Sequence, residues 1–249
     1  MHGTGISLAP FFDLILEKDM SNNIDYTPTS INDIVYHSVT ERQLIMDIAS
    51  GAMHFPISGK NGILLFGIWG TGKTTLANLL PDAIERGKGG DDSYFKFIAC
   101  EQGQNGASLF ANLRNMASLI PFIHSGYHYF VLDEVDNLTD AALASLKSAM
   151  NIPKTIFIMT TNNISDIDGG VRSRCHRINC NAAPPKDWLP FARRVLHDNG
   201  GKQDDDSKLL PIIINCDGDT REIVSAMQRL AAAQRGQSAS ASVHQSLAA

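Results

Sequence analysis

Apolar residues in this chain come in short runs that end in glycine, acid or amide residues. Between the runs lie stretches with a helical period. Ile63 to Phe66 is an unbroken apolar run with glycines after it, the mark of a strand buried on both faces. The residues beyond those glycines predict a helix from about Lys73 to Leu80. Tyr94 to Ala99 predicts a second strand, and Ser108 to Leu119 a helix with Leu109, Leu113 and Met116 near one face. Tyr127 to Leu132 reads as a third strand. Thr139 is placed to cap a helix whose Leu143, Leu146 and Met150 share a side. Thr155 to Thr160 and Cys175 to Asn179 complete the set. Strands alternating with helices at this spacing predict the α/β class, with a five-stranded parallel sheet covered on both faces.

After Pro184 and Pro185 the pattern becomes purely helical. Asp187 is expected to cap a helix with Pro190 in its first turn, and Gly200–Gly201 to end it. A second helix spans roughly Ser207 to Asn215. A third starts at Asp219, with Glu222 in a capping-box position and Ile223, Ala226, Met227 and Leu230 on one face. The expected organisation is a mobile N-terminal extension over 1–23, an α/β domain over 24–182, a small helical domain over 183–235, and a disordered Ser/Ala/Gln-rich tail over 236–249. Residues 1–19 precede a second methionine, Met20, and read as an extension or an upstream start.

Composition narrows the class. The 249 residues are 43% hydrophobic and 19% charged, enough for one large or two modest globular domains. The net charge of −5 weighs against coating nucleic acid by bulk charge and leaves room for a local basic stripe. Cys100, Cys175, Cys180 and Cys216 form no C-x-x-C pair, which argues against zinc. Free cysteines without a secretion signal fit a reducing cytosol, so a cytoplasmic protein is expected. No apolar run approaches the roughly 18 residues a membrane helix needs.

The chemistry starts at Gly67-Ile68-Trp69-Gly70-Thr71-Gly72-Lys73-Thr74, which fits G-x-x-x-x-G-K-[ST] between a strand and a helix. Glycines there let backbone N–H groups converge on phosphate oxygens, and the helix N-terminus adds positive potential. Lys73 would neutralise the β and γ phosphates of ATP, and Thr74 would hold Mg²⁺, with Gly67, Gly70, Thr71, Gly72 and Thr75 completing the nucleotide contacts. Asp133 and Glu134 end a buried strand 60 residues after Lys73. Paired anions repel unless a cation or a reacting water justifies them. Asp133 would support the metal and Glu134 would polarise the water. The next strand ends Thr160-Thr161-Asn162-Asn163. Asn162 is the candidate for orienting that water, with Asn163 the competing choice. Trp69 is assigned no function, and His124 and His128 read as structural.

With these motifs and the helical C-terminal part, the chain resembles the AAA+ ATPases. Further segments bring it closest to clamp-loader subunits: the small subunits of replication factor C and the phage-type loaders. "DYTPTSINDIV" from Asp25 to Val35 resembles their adenine-side entry segment, and "LDEVDNLT" from Leu132 to Thr139 their acidic stretch. Ser173-Arg174-Cys175 matches their serine–arginine–cysteine motif. The resemblance implies that Arg174 acts in trans on the γ-phosphate held by a neighbour. Gly218-Asp219-Thr220-Arg221 resembles their second sensor, which implies that Arg221 contacts nucleotide from the helical lid. It also implies a P-loop AAA+ core followed by a lid, ATP and Mg²⁺ as cofactors, ATP hydrolysis, and a homo- or hetero-oligomer of AAA+ subunits acting with DNA and a sliding clamp or helicase. In clamp loaders the helix after the second strand faces the DNA; here that helix offers only Arg114.

One feature departs from the family pattern. The 16 residues after Ala233 are too few for the C-terminal collar domain of clamp loaders. That keeps two alternatives open: a helicase loader, initiator or mobile-element ATPase, and a subunit that binds ATP without turning it over. An intact Glu134 and Asn162 argue against the latter.

Overall fold

A computed structural model describes residues 24–102, 107–202 and 205–247, with the side chains of 107–108 and 237–247 outside that description. The expected extension over 1–23 lies outside the described residues. The elements are α1 (Val39–Ser50), β1 (Gly62–Phe66), α2 (Lys73–Gly87), β2 (Phe95–Ala99), α3 (Ala107–Ala117), β3 (His128–Asp133), α4 (Asp140–Ala149), β4 (Thr155–Thr161), α5 (Gly169–Ser173), β5 (Cys175–Asn179), α6 (Leu189–Asp198), α7 (Asp206–Ile214) and α8 (Thr220–Leu247).

The five strands form one parallel sheet in the order β2-β3-β4-β1-β5. Successive side chains point to opposite faces of a strand, and helices cover both faces here. Leu64, Phe130, Leu132, Phe157 and Met159 pack with Phe110, Leu113, Leu143 and Leu146 of α3 and α4. Ile63, Leu65, Val131 and Ile158 pack with Ile45, Ile48, Leu76, Leu80 and Ile84 of α1 and α2 on the other side. Both faces are covered at the centre, which is why β1, β3 and β4 carry unbroken apolar runs, whereas the edge strands β2 and β5 include Lys96, His176 and Arg177. α6, α7 and α8 enclose a core of their own around Trp188, Leu196, Ile213, Ile223 and Met227.

Several local expectations are corrected. α2 continues to Gly87 with Pro81 inside it. Leu76, Leu80 and Ile84 keep one buried face across the proline, and that packing outweighs the lost backbone bond. Asp187 caps nothing: it lies in a 3-10 turn, Pro185–Trp188, and Trp188 is the N-cap of α6 with no side-chain cap bond. α8 is helical to Leu247, into the stretch whose composition predicts disorder. The stretch holds no proline to stop a helix, and although Gly236 and its serines are poor helix formers, it extends a helix already nucleated against the core. α1 is an addition to the expected elements. Its signal is Ser38 with Glu41 three residues on, and Ser38 Oγ accepts the Glu41 N–H at 3.2 Å. Among the described residues no helix is long and apolar enough to cross a membrane.

Candidate functional site

Ligands of open parallel sheets sit beyond the carboxyl ends of the strands. Here β1, β3 and β4 end side by side and open into a cleft of about 530 Å³. The loop between β1 and α2 forms its floor. Gly67 is held against the chain after β5: a Cβ there would lie 2.6 Å from Asn181 N and Cys180 C. Asn181 Oδ1 accepts the Ile68 N–H at 3.0 Å, which fixes the loop from below. Thr71 Oγ1 and Lys73 Nζ both donate to Ile68 O, at 3.0 and 2.6 Å. Lys73 is only 8% exposed. Burial holds its ammonium below the ordinary pKa of 10.5, an effect partly offset by Cys180, Asp133, Asp136 and Glu134.

The acids meet this loop directly. Thr74 Oγ1 donates to Asp133 Oδ1 at 2.8 Å, and Thr160 Oγ1 donates to the same oxygen at 2.6 Å. Thr160 Oγ1 in turn accepts the Glu134 N–H at 2.8 Å. Glu134 is exposed and adopts φ 57, ψ 54, a left-handed conformation unusual for a residue with a Cβ. Its carboxylate takes a bond from Asn137 Nδ2 at 3.2 Å. Such strain survives where the surroundings over-determine it, and the Thr160 bond is part of what does so here. A hydroxyl and a carboxylate this close make a hard, oxygen-only donor set, which fits Mg²⁺.

Asn162 lines the cleft, and its backbone N–H donates to Asp136 Oδ2 at 3.4 Å. Asn163 is engaged elsewhere: its side chain caps the turn Ile164–Asp166 and bonds Asp166. Of the two candidates, Asn162 is the one that lines the cleft. The lid reaches the same loop. Thr220 N donates to Gly70 O at 3.1 Å, and a Cβ at Gly70, which has φ 75, would overlap the Asp219 carboxylate. Arg221 comes next in the chain and lines the cleft.

The far end of the cleft is aromatic. Tyr26, from the entry segment, packs edge-on against Phe191, and Phe191 against Trp188. Asn199 Nδ2 donates to Tyr26 Oη at 3.0 Å, joining that segment to the end of α6. Trp69, 73% exposed, also lines the cleft. Sequence reasoning missed Thr160, Asn181 and this aromatic wall. Thr160 belongs to a strand end that the sequence already singles out and Tyr26 to the quoted entry segment, whereas Asn181, Trp188 and Phe191 have no local signal.

Arg174 stands apart. Gly62 pairs with Cys175 and Phe66 with Asn179. Arg174 therefore precedes β5 at the end of the sheet opposite the phosphate loop, about 13 Å of strand away. Its guanidinium bonds Asn151 Oδ1 and Gly170 O. Among the described residues no group of three or more His, Cys, Asp or Glu forms a metal cluster.

A strand–loop–helix turn facing an acidic strand end, beside the helical part of the chain, is the arrangement of a nucleotide-binding site. Residues 63–181 match the family described as "ATPase family associated with various cellular activities (AAA)". Beyond that match, the chain is similar over most of its length to replication factor C small subunits. It is 28% identical over 212 residues to replication factor C small subunit 2 of Pyrobaculum islandicum, covering 84% of this chain and 63% of that protein. It is 26% identical over 211 residues to replication factor C subunit 3 of Schizosaccharomyces pombe, covering 84% and 58%. The chain thus spans about 60% of the length of the curated relatives it matches. Among solved structures, the FIGL-1 AAA domain in complex with ADP superposes with a TM-score of 0.55 at 18% identity, covering 93% of this chain and 80% of that one. The Thermotoga maritima RuvB Holliday junction branch migration motor superposes at 0.53 and 16% identity, covering 82% and 72%. These two share the fold.

Proposed function

We propose that this protein is an ATP-hydrolysing switch of clamp-loader type, working as an oligomer in DNA replication. The observation that carries the reading is the junction of Thr74, Asp133, Thr160 and Glu134 at the head of the sheet. A phosphate loop alone would support binding. An acid held beside it in a strained, exposed conformation supports hydrolysis.

In this reading the adenosine end of ATP lies toward Tyr26 and Trp188 and the phosphates over 67–75. Lys73 compensates the β and γ phosphates. Mg²⁺, held through Thr74 and Asp133, would neutralise charge developing on the transferred group. Glu134 accepts a proton from the attacking water, with Asn162 orienting that water. The bond from the γ-phosphorus to the β,γ-bridging oxygen breaks, and ADP and phosphate leave. Arg221 senses the phosphates from the lid, whose first turn already rests on Gly70.

Arg174 supports the oligomer. It sits at the wrong end of the sheet for its own nucleotide, and among the described residues its side chain has only neutral partners. Its charge suits a phosphate across a subunit interface. A surface for a further protein partner is the stretch after α3. Leu119, Ile120 and Phe122 are exposed there, Phe122 completely. The segment is anchored from behind by buried Glu85, which accepts from Ser125 N at 2.8 Å, Ser125 Oγ at 2.6 Å and Tyr129 Oη at 2.9 Å. A sliding clamp is the partner we assign to it, and Arg114 on α3 a weak phosphate contact to DNA. The test is ATP turnover alone, with primed DNA, and with primed DNA plus a sliding clamp. Stimulation by both is expected, whereas stimulation by a helicase instead would favour the loader alternative.

A further inference from the structure

Arg174 is held by three separate segments, two of which seat its guanidinium and one its backbone. Asn151, in the turn after α4, offers one oxygen, Oδ1, that accepts from both Nε and Nη2 of Arg174 at 3.2 Å. Gly170 O, in α5, accepts from Nη1 at 2.9 Å. On the backbone side, the Arg174 carbonyl accepts from Asn61 N at 3.2 Å and Gly62 N at 3.0 Å.

These segments are also tied to one another. Asn61 Nδ2 donates to Met150 O at 2.9 Å and Thr155 O at 3.2 Å, which fastens the Asn151 turn to the start of β1. Lys147 in α4 pairs with Asp168, the residue that caps α5, at 3.5 Å. A long flexible arginine is thereby fixed in one direction, and among the described residues no carboxylate pairs with it. Its charge is oriented but not neutralised. Of the five guanidinium N–H bonds, three are engaged, and one on each terminal nitrogen remains.

We propose that Asn151 is a positioning residue: it aims Arg174 at the phosphate of the neighbouring subunit and touches no nucleotide itself. This role accounts for the choice of an amide. An aspartate in its place would hold the guanidinium as well but would pair with the charge needed across the interface. The inference rests on the proposed trans role of Arg174, and the experiment separates the two.

Steady-state ATP turnover is measured for the parent, Asn151→Ala, Arg174→Ala and the double variant, at a concentration where the parent is oligomeric. Misdirecting a catalytic charge should slow Asn151→Ala by roughly 10- to 100-fold, while binding of a fluorescent ATP analogue changes by less than about twofold. In the Arg174→Ala background, Asn151→Ala should cause no further loss, because the amide acts only through that arginine. Mixed with Lys73→Ala subunits, Asn151→Ala should recover turnover as Arg174→Ala does, since both leave an intact phosphate loop. Parent-like turnover of Asn151→Ala beside a slow Arg174→Ala would overturn the proposal. So would a further loss in the Arg174→Ala background, which would mark a purely structural residue. Parent-like turnover of Arg174→Ala would instead remove the trans reading beneath it.

Discussion

Thr160 Oγ1 donates to Asp133 Oδ1 at 2.6 Å while accepting the Glu134 N–H at 2.8 Å, so one hydroxyl on β4 holds both acids at the end of β3. The same Asp133 oxygen takes Thr74 of the phosphate loop. Three strands' worth of chemistry thus converge on one carboxylate. Thr160→Val keeps the shape and removes the hydroxyl, leaving the Glu134 N–H without its acceptor. That should cost about 1–3 kcal/mol of stability in denaturant titrations. Turnover should fall more than nucleotide affinity, because Glu134 loses its support. Thr160→Ser should stay close to the parent.

Lys73→Ala and Glu134→Gln separate binding from hydrolysis. The first should abolish tight ATP binding. The second should bind ATP and turn it over on the order of 10²-fold more slowly or worse, leaving unhydrolysed nucleotide on the protein. Retained nucleotide read by chromatography after a spin column distinguishes them. Parent-rate hydrolysis by Glu134→Gln would mean another group is the base.

Buried Lys73 also sets a pH dependence for the nucleotide-free protein. Its folded pKa is lowered, so the unfolded chain holds this proton more tightly. Its charged form costs stability below the lowered pKa. Stability then recovers as pH rises from that pKa toward the ordinary 10.5. Lys73→Met removes the penalty. It should raise the nucleotide-free Tm at neutral pH, flatten the alkaline recovery, and abolish the Tm increase that ATP gives the parent. A Tm below the parent's would show that the bond to Ile68 O outweighs the burial cost.

Arg174 should act between subunits. Specific activity should rise with protein concentration and drop about 10³-fold in Arg174→Ala. Mixing Arg174→Ala with Lys73→Ala should restore part of the activity, because one mixed interface joins an intact phosphate loop to an intact arginine. A concentration-independent rate untouched by Arg174→Ala would exclude the arrangement.

The apolar stretch after α3 gives a partner-specific prediction. Phe122→Glu lies at a fully exposed position and should leave Tm and basal turnover unchanged. Stimulation by a sliding clamp should be lost, as read by turnover with primed DNA and clamp. Undiminished stimulation would move the partner surface elsewhere.

The sheet and the shape of the loop after β1 are legible in the chain alone, because both are local. Ile63–Leu65 is apolar throughout since it is buried on two faces, and Gly70 and Gly72 supply the positive φ angles of the loop that leads into Lys73 at the start of α2. Thr139 caps its helix as its spacing requires. The rest depends on neighbours distant in the chain, and packing settled it. Packing made Thr160 the link between Asp133 and Glu134, and set Asn163 to capping a turn while Asn162 faced the cleft. It carried α2 through Pro81, brought Asn199 to Tyr26 across 173 residues, and set Asn151 against Arg174. A hydrogen bond between side chains far apart in sequence leaves no period or spacing to read. Its partners become visible only when packing of the sheet and its helices has brought them within 3 Å or so of each other.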